Sequence, residues 1–110
     1  MKIIIKINLL YYIRDIVIMK PQVIIAEIIG TFIFFSGLLA IAPFGVFAGG
    51  IGLVAGIYLS AKASGGHLNP AFSIIMAIRG DISITAAIVY ICSQIIGGIL
   101  ALLVNSYLIV

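Results

Sequence analysis

The sequence predicts an all-α membrane protein, with three transmembrane helices and one half-length helix that enters the bilayer without crossing it. Three observations predict this. Of 110 residues, 65% are hydrophobic and 8% charged, whereas soluble domains carry about a quarter charged residues. The apolar residues gather into three runs near the length of about 20 residues that a hydrocarbon core of about 30 Å requires. Between the second and third runs lies the one polar, glycine-rich stretch, Ser64-Gly65-Gly66-His67-Leu68-Asn69-Pro70-Ala71.

The organisation expected is an uncertain segment at 1–20 followed by one membrane unit at 21–110. Residues 1–19 are rich in Ile, Leu and Tyr, but Lys2, Lys6, Arg14 and Asp15 interrupt them. Charges near the middle weigh against a span, and no small-residue cleavage site marks a signal peptide. Two readings stay open: an interfacial helix with its basic residues toward lipid head groups, or translation starting at Met19.

The first span is expected at about 23–42 and holds one charge, Glu27. Ala26, Gly30 and Gly37 fall close to one helical face. Small residues on one face let membrane helices approach closely, although glycine is also simply common in such helices. Pro43 marks a turn. The second span is expected at about 44–61, with Gly45, Gly49, Gly52 and Gly56 in one stripe. Each glycine costs about 1 kcal/mol in a helix relative to alanine. Four in line therefore imply close packing or exposure to a lumen.

Lys62 marks the return to the membrane surface, and 63–78 form the re-entrant loop and half-helix. Glycines at 65 and 66 free the backbone for unusual angles. Asn69 is a favoured N-cap and Pro70 suits the first helical position. Gly80 suits a helix C′ position, Arg79 the negative end of the half-helix dipole, and Asp81 a cap for the next helix. The third span is expected at about 82–104, where Tyr90, Gln94, Gly97 and Ala101 form a small-and-polar stripe. Gln94 is read as a helix-to-helix hydrogen-bonding residue in preference to a pore ligand.

The single cysteine, Cys92, is read as a buried, inert thiol, and metal-ligand spacing is absent. No metal and no cofactor are expected. Six Lys and Arg against three Asp and Glu give a basic chain. The basic residues are scattered and no Trp accompanies them, so nucleic acid is not an expected partner. Lys2, Lys6, Arg14, Lys20, Lys62 and Arg79 all fall on one side of a three-span arrangement. Basic residues stay cytoplasmic, so the expected N-terminus is cytoplasmic and the C-terminus outside.

Non-helical backbone at membrane depth persists only where it is buried in protein or lines water. The loop therefore implies a cavity. Carbonyls at 65–68 offer a row of acceptors, and the Asn69 amide offers a donor at the positive end of a helix dipole. That combination fits a neutral hydrogen-bonding permeant and repels a cation. His67 is open to three roles, a titrating gate, a metal ligand or a structural residue bracing the loop, and the last is preferred. Glu27 could relay protons, since intramembrane carboxylates are functional candidates. A bracing role, accepting hydrogen bonds from loop backbone or His67, is preferred. No nucleophile or paired acid–base set accompanies these two residues, so an enzyme is not expected.

The loop also carries a resemblance. Ser-Gly-Gly-His-Leu-Asn-Pro-Ala resembles the first signature loop of the major intrinsic proteins, the aquaporins and glycerol facilitators. Ala26-Glu27-Ile28-Ile29-Gly30-Thr31, Gly56-Ile57-Tyr58-Leu59-Ser60-Ala61 and Tyr90-Ile91-Cys92-Ser93-Gln94-Ile95-Ile96-Gly97-Gly98 resemble the family's first, second and third helices, in family order. The resemblance implies one inverted-repeat half of an aquaporin-like fold, passing water or small neutral solutes such as glycerol. It implies that backbone of Gly65, Gly66 and His67 lines the pore and that Asn69, within Asn69-Pro70-Ala71, orients the permeant. Cation exclusion by dipole ends is itself a rule drawn from aquaporin-type pores.

The family's constriction takes one residue twenty positions before this asparagine, which is Gly49 here, and glycine implies a wide filter. Asn-Pro-Ala occurs once, so a pore is expected to need a second, oppositely oriented half or another oligomer partner in the lipid bilayer. The alternative is a truncated, non-conducting protein with a packing or assembly role. The very short connection between the first two spans departs from the family pattern.

Overall fold

In the computed structural model, residues 1–108 are described, apart from the side chains of Tyr12 and residues 14–18. Six helices follow one another: α1 (Lys2–Ile18), α2 (Pro21–Leu39), α3 (Ile41–Phe44), α4 (Phe47–Ser64), α5 (Pro70–Arg79) and α6 (Ile84–Leu108). Among the described residues there is no strand. Helices α2, α4 and α6 are long and apolar enough to cross a membrane. Helix α5 has 10 residues, about 15 Å at 1.5 Å per residue, half the hydrocarbon thickness. The chain is an integral, multi-pass membrane protein with three spans and one half-length helix.

Helix α2 packs against both α4 and α6, and α5 packs against α6. Glycine makes the first contact close. A Cβ on Gly52 would stand 2.9 Å from the Gly37 Cα, and one on Gly37 would stand 2.5 Å from the Ala48 carbonyl oxygen. On the other flank of α2, a Cβ on Gly97 would stand 2.5 Å from the Ile28 carbonyl oxygen. Backbones meet here without side chains between them, which is how membrane helices gain packing where lipid removes the hydrophobic drive. The buried face of α4 continues through Gly49, Gly52, Gly56, Ser60 and Ser64. On α6 it runs through Tyr90, Gln94, Gly97 and Ala101, with Ala87 and Ser93 beside them.

Several boundaries differ from the sequence reading. Helix α2 stops at Leu39, and α3 with Pro43 forms a separate short turn, where proline in a first turn costs no hydrogen bond. Gly45 lies outside the stripe, at the end of α3, with φ 93° and open space around it. Helix α4 begins at Phe47 and carries Lys62 within its last turn, because a lysine near a helix end reaches the interface by its own length. It ends at Gly65, whose φ of 86° is left-handed and whose N–H bonds the Ala61 carbonyl at 2.8 Å.

Helix α6 starts at Ile84. Its cap is Ser83, whose Oγ accepts the Ala86 N–H at 3.0 Å. Asp81 instead ion-pairs with Arg79, and its N–H closes the end of α5 on the Met76 carbonyl at 2.9 Å. Cys92 is exposed, not buried; two residues from buried Tyr90, it faces the opposite side of α6.

Helix α1 touches α6, and its described side chains are exposed. The side chains of Arg14 and Asp15, and the apolar end at Ile109 and Val110, lie outside the described residues.

Candidate functional site

The loop between α4 and α5 turns three times into left-handed backbone. Gly65 and Gly66 have φ of 86° and 64°, and Leu68 has φ 56°. A left-handed residue with a Cβ costs roughly 1–2 kcal/mol. At Leu68 the side chain repays it. It is 0% exposed and wedges between α2 and α4: its Cδ2 lies 2.5 Å from where a Gly30 Cβ would stand, and its Cδ1 2.9 Å from that of Gly56. The missing side chains on both helices form the seat for this one.

Glu27 of α2 holds the loop backbone. The residue is fully buried. Its Oε1 accepts the His67 N–H at 2.9 Å and the Ser64 hydroxyl at 2.6 Å. Its Oε2 accepts the Leu68 N–H at 2.9 Å and the Gln94 amide Nε2 at 3.0 Å. Four donors from α4, the loop and α6 thus converge on one carboxylate, a number that satisfies its lone pairs. Ser64 Oγ in turn accepts the Gly66 N–H at 3.2 Å. The consecutive N–H groups of residues 66–68 all point to this side, so the loop carbonyls are left free of them.

The imidazole of His67 is packed on three sides. It stacks on Tyr90 at a ring-centroid distance of 4.2 Å and meets Phe72 edge-on at 5.1 Å. Its Nδ1 lies 2.8 Å from Ser73 Oγ on α5. Gln94 Nε2 reaches that same Oγ at 2.9 Å. The Tyr90 hydroxyl donates to the Ser64 carbonyl at 2.7 Å, at the last turn of α4.

Asn69 has extended backbone and caps α5, its Oδ1 accepting the Ala71 N–H at 2.8 Å. That bond fixes the amide: Oδ1 faces the helix, and the Nδ2 protons remain as donors at an exposed tip. Pro70 takes the first helical position behind it. Beside Pro70, an open groove of about 550 Å³ runs between α2 and α6, lined by Phe35, Leu38, Gln94, Gly98 and Leu102 among others.

Glu27, Gln94, Gly66 and His67 therefore meet in one hydrogen-bonded cluster, with Asn69 and Pro70 leading out of it. Gly49 stands apart. It lies 16 residues from Gly65, about 24 Å along α4, and is buried against Leu38 and Ile41. Leu68, Ser64, Ser73 and Tyr90 belong to the cluster without having been singled out for it. Among the described residues, no group of three His, Cys, Asp or Glu could hold a metal ion.

The family model described as Major intrinsic protein matches residues 16–110. The chain is 42% identical over 66 residues to Probable aquaporin TIP5-1 of Arabidopsis thaliana, covering 56% of this chain and 26% of that protein. It is 44% identical over 57 residues to Probable aquaporin TIP5-1 of Oryza sativa subsp. japonica, covering 52% and 21%. It is 39% identical over 72 residues to Aquaporin TIP2-3 of Zea mays, covering 66% and 27%. The matched part spans about a quarter of the length of these relatives. No solved structure matches the chain. With the family model covering most of its length, and three spans accompanied by a glycine-seated loop and a half-length helix packed on α6, the chain belongs to the major intrinsic protein family.

Proposed function

We propose that this chain forms one half of a channel for the passive passage of water or small neutral solutes. The observation that carries the reading is the fixed amide of Asn69: Oδ1 is held by the Ala71 N–H, and Nδ2 is presented at the N-terminus of a half-length helix. A donor there binds the oxygen of a passing water or alcohol, while the positive dipole end disfavours a cation. The backbone carbonyls of Gly65, Gly66 and His67 supply the acceptors. Glu27 and Gln94 brace the loop and move no protons. The relatives named as aquaporins support water as a permeant; glycerol is the further expectation that a glycine at position 49 raises.

Residues 21–110 are the unit that carries this role. The groove beside Pro70 supports a second, oppositely oriented half or another oligomer partner seated against α2 and α6. The charge distribution supports Lys20, Lys62 and Arg79 on the cytoplasmic side, with the far end of α6 outside.

Stopped-flow swelling of proteoliposomes, in water and glycerol gradients, tests the reading. Permeability above that of empty vesicles, lost in Asn69→Ala, is expected once a complete pore is assembled. A complete pore whose flux survives Asn69→Ala contradicts it.

A further inference from the structure

Four serines of the long helices and the serine of the half-helix use their hydroxyls differently. Ser36, Ser60, Ser93 and Ser106 each donate to the carbonyl four residues back, at 2.6, 2.6, 2.8 and 2.8 Å. Ser73 makes no such bond. Its Oγ lies between Gln94 Nε2 at 2.9 Å and His67 Nδ1 at 2.8 Å, and the residue is 0% exposed.

The direction of each bond in this chain follows from Glu27 acting as an acceptor only. The Gln94 Nε2 that reaches Ser73 also reaches Glu27 Oε2 at 3.0 Å. A carboxylate oxygen already taking the Leu68 N–H only accepts, so the amide nitrogen, not its oxygen, faces this side. One Nε2 hydrogen goes to Glu27 and the other to Ser73. Ser73 Oγ is thereby an acceptor from Gln94, and its own hydrogen has one neighbour left, His67 Nδ1. An Nδ1 that accepts must be unprotonated. The neutral imidazole then carries its hydrogen on Nε2, the ring nitrogen that takes no partner among the described residues and lies on the half-exposed side near Gly65.

We infer that Ser73 is a positioning residue that locks His67 as the Nε2–H tautomer and so fixes a second side-chain donor on the loop, for the oxygen of a neutral solute. The orientation is set from α2, through Glu27, Gln94 and Ser73, to a ring held between Tyr90 and Phe72. Asn69 and His67 then present N–H groups of the same sense, each because its other polar atom is occupied by α5. Placing the His67 ring on a solute path rests on the channel reading above; the tautomer does not.

His67 is the one histidine of the chain, so imidazole nitrogen-15 spectra need no assignment. The full chain, labelled at histidine and reconstituted in lipid at a pH above the ordinary histidine range, is expected to show an unprotonated Nδ1 and a protonated Nε2. Ser73→Ala is expected to give a mixture of tautomers, and Ser73→Thr, which restores the hydroxyl, a single one. A protonated Nδ1 in the natural chain overturns the inference, as does a Ser73→Ala spectrum identical to it. Should Ser73→Ala fail to insert, Ser73→Cys places a weaker donor at the same point, and an unmoved Nδ1 resonance there also overturns it. A locked tautomer in an assembled pore without flux supports the lock and contradicts the channel reading; flux without the lock does the reverse.

Discussion

The side chain of Leu68 occupies the space that a Cβ on Gly30 would need, its Cδ2 lying 2.5 Å from that position. The loop is thus anchored by shape as well as by hydrogen bonds. Leu68→Ala empties the seat between α2 and α4. Buried leucine-to-alanine changes cost about 2–5 kcal/mol in soluble cores. A lipid-embedded chain falls at the low end, about 2 kcal/mol, because its surroundings are already apolar. Gly30→Leu is expected to expel Leu68 altogether. Thermal melting in detergent, comparing both variants with the natural chain, checks the order: Gly30→Leu worse than Leu68→Ala.

Gly52→Val tests the α2–α4 contact. The added Cβ would meet the Gly37 Cα at 2.9 Å and the carbonyl oxygens of Ile33 and Phe34 at 3.0 Å. All are backbone atoms that cannot rotate away, so the helices must separate. Overpacking of this kind costs about 1–3 kcal/mol. Gly50→Val, on the open side of the same helix with nothing within 4 Å, is expected to leave the melting temperature near that of the natural chain.

Much of this contact was legible in the sequence. Gly49, Gly52 and Gly56 recur at helical spacing, and that periodicity alone placed them on one face. Gly45 continued the same spacing and yet lies outside, because spacing does not reveal where a helix starts. Cys92 was misplaced although its distance from Tyr90 already set it on the other face; the apolar run around it hid the period. Ser64, Ser73 and Tyr90 were illegible as a site. Their partners stand 37, 6 and 26 residues away, and a serine in a helix gives no pattern that distinguishes a local back-bond from a bond across the fold.

Gly49→Phe separates filter from packing. A side chain at 49 meets the Ile41 Cδ1 at 2.7 Å and the Leu38 Cδ2 at 3.2 Å, the flexible ends of side chains. If Gly49 sets the width of the solute path, an assembled pore carrying Gly49→Phe is expected to lose glycerol flux more than water flux. Swelling rates in the two gradients give the ratio. Equal effects on both solutes would assign Gly49 to helix packing alone.

The central claim is that a carboxylate on α2 holds the loop between α4 and α5. Hydrogen exchange at the His67 and Leu68 amides, measured in lipid for the natural chain and Glu27→Gln, tests it most directly. Each amide gives its hydrogen to one oxygen of Glu27 at 2.9 Å. Glutamine keeps one acceptor and replaces the other with a donor facing donors, which leaves a buried group unpaired at a cost of about 1–3 kcal/mol. The account predicts both amides nearly as slow as the interior of α2 in the natural chain. In Glu27→Gln it predicts faster exchange by about tenfold or more, while α2 stays slow. Fast exchange in the natural chain, or rates that Glu27→Gln leaves unchanged, would contradict it.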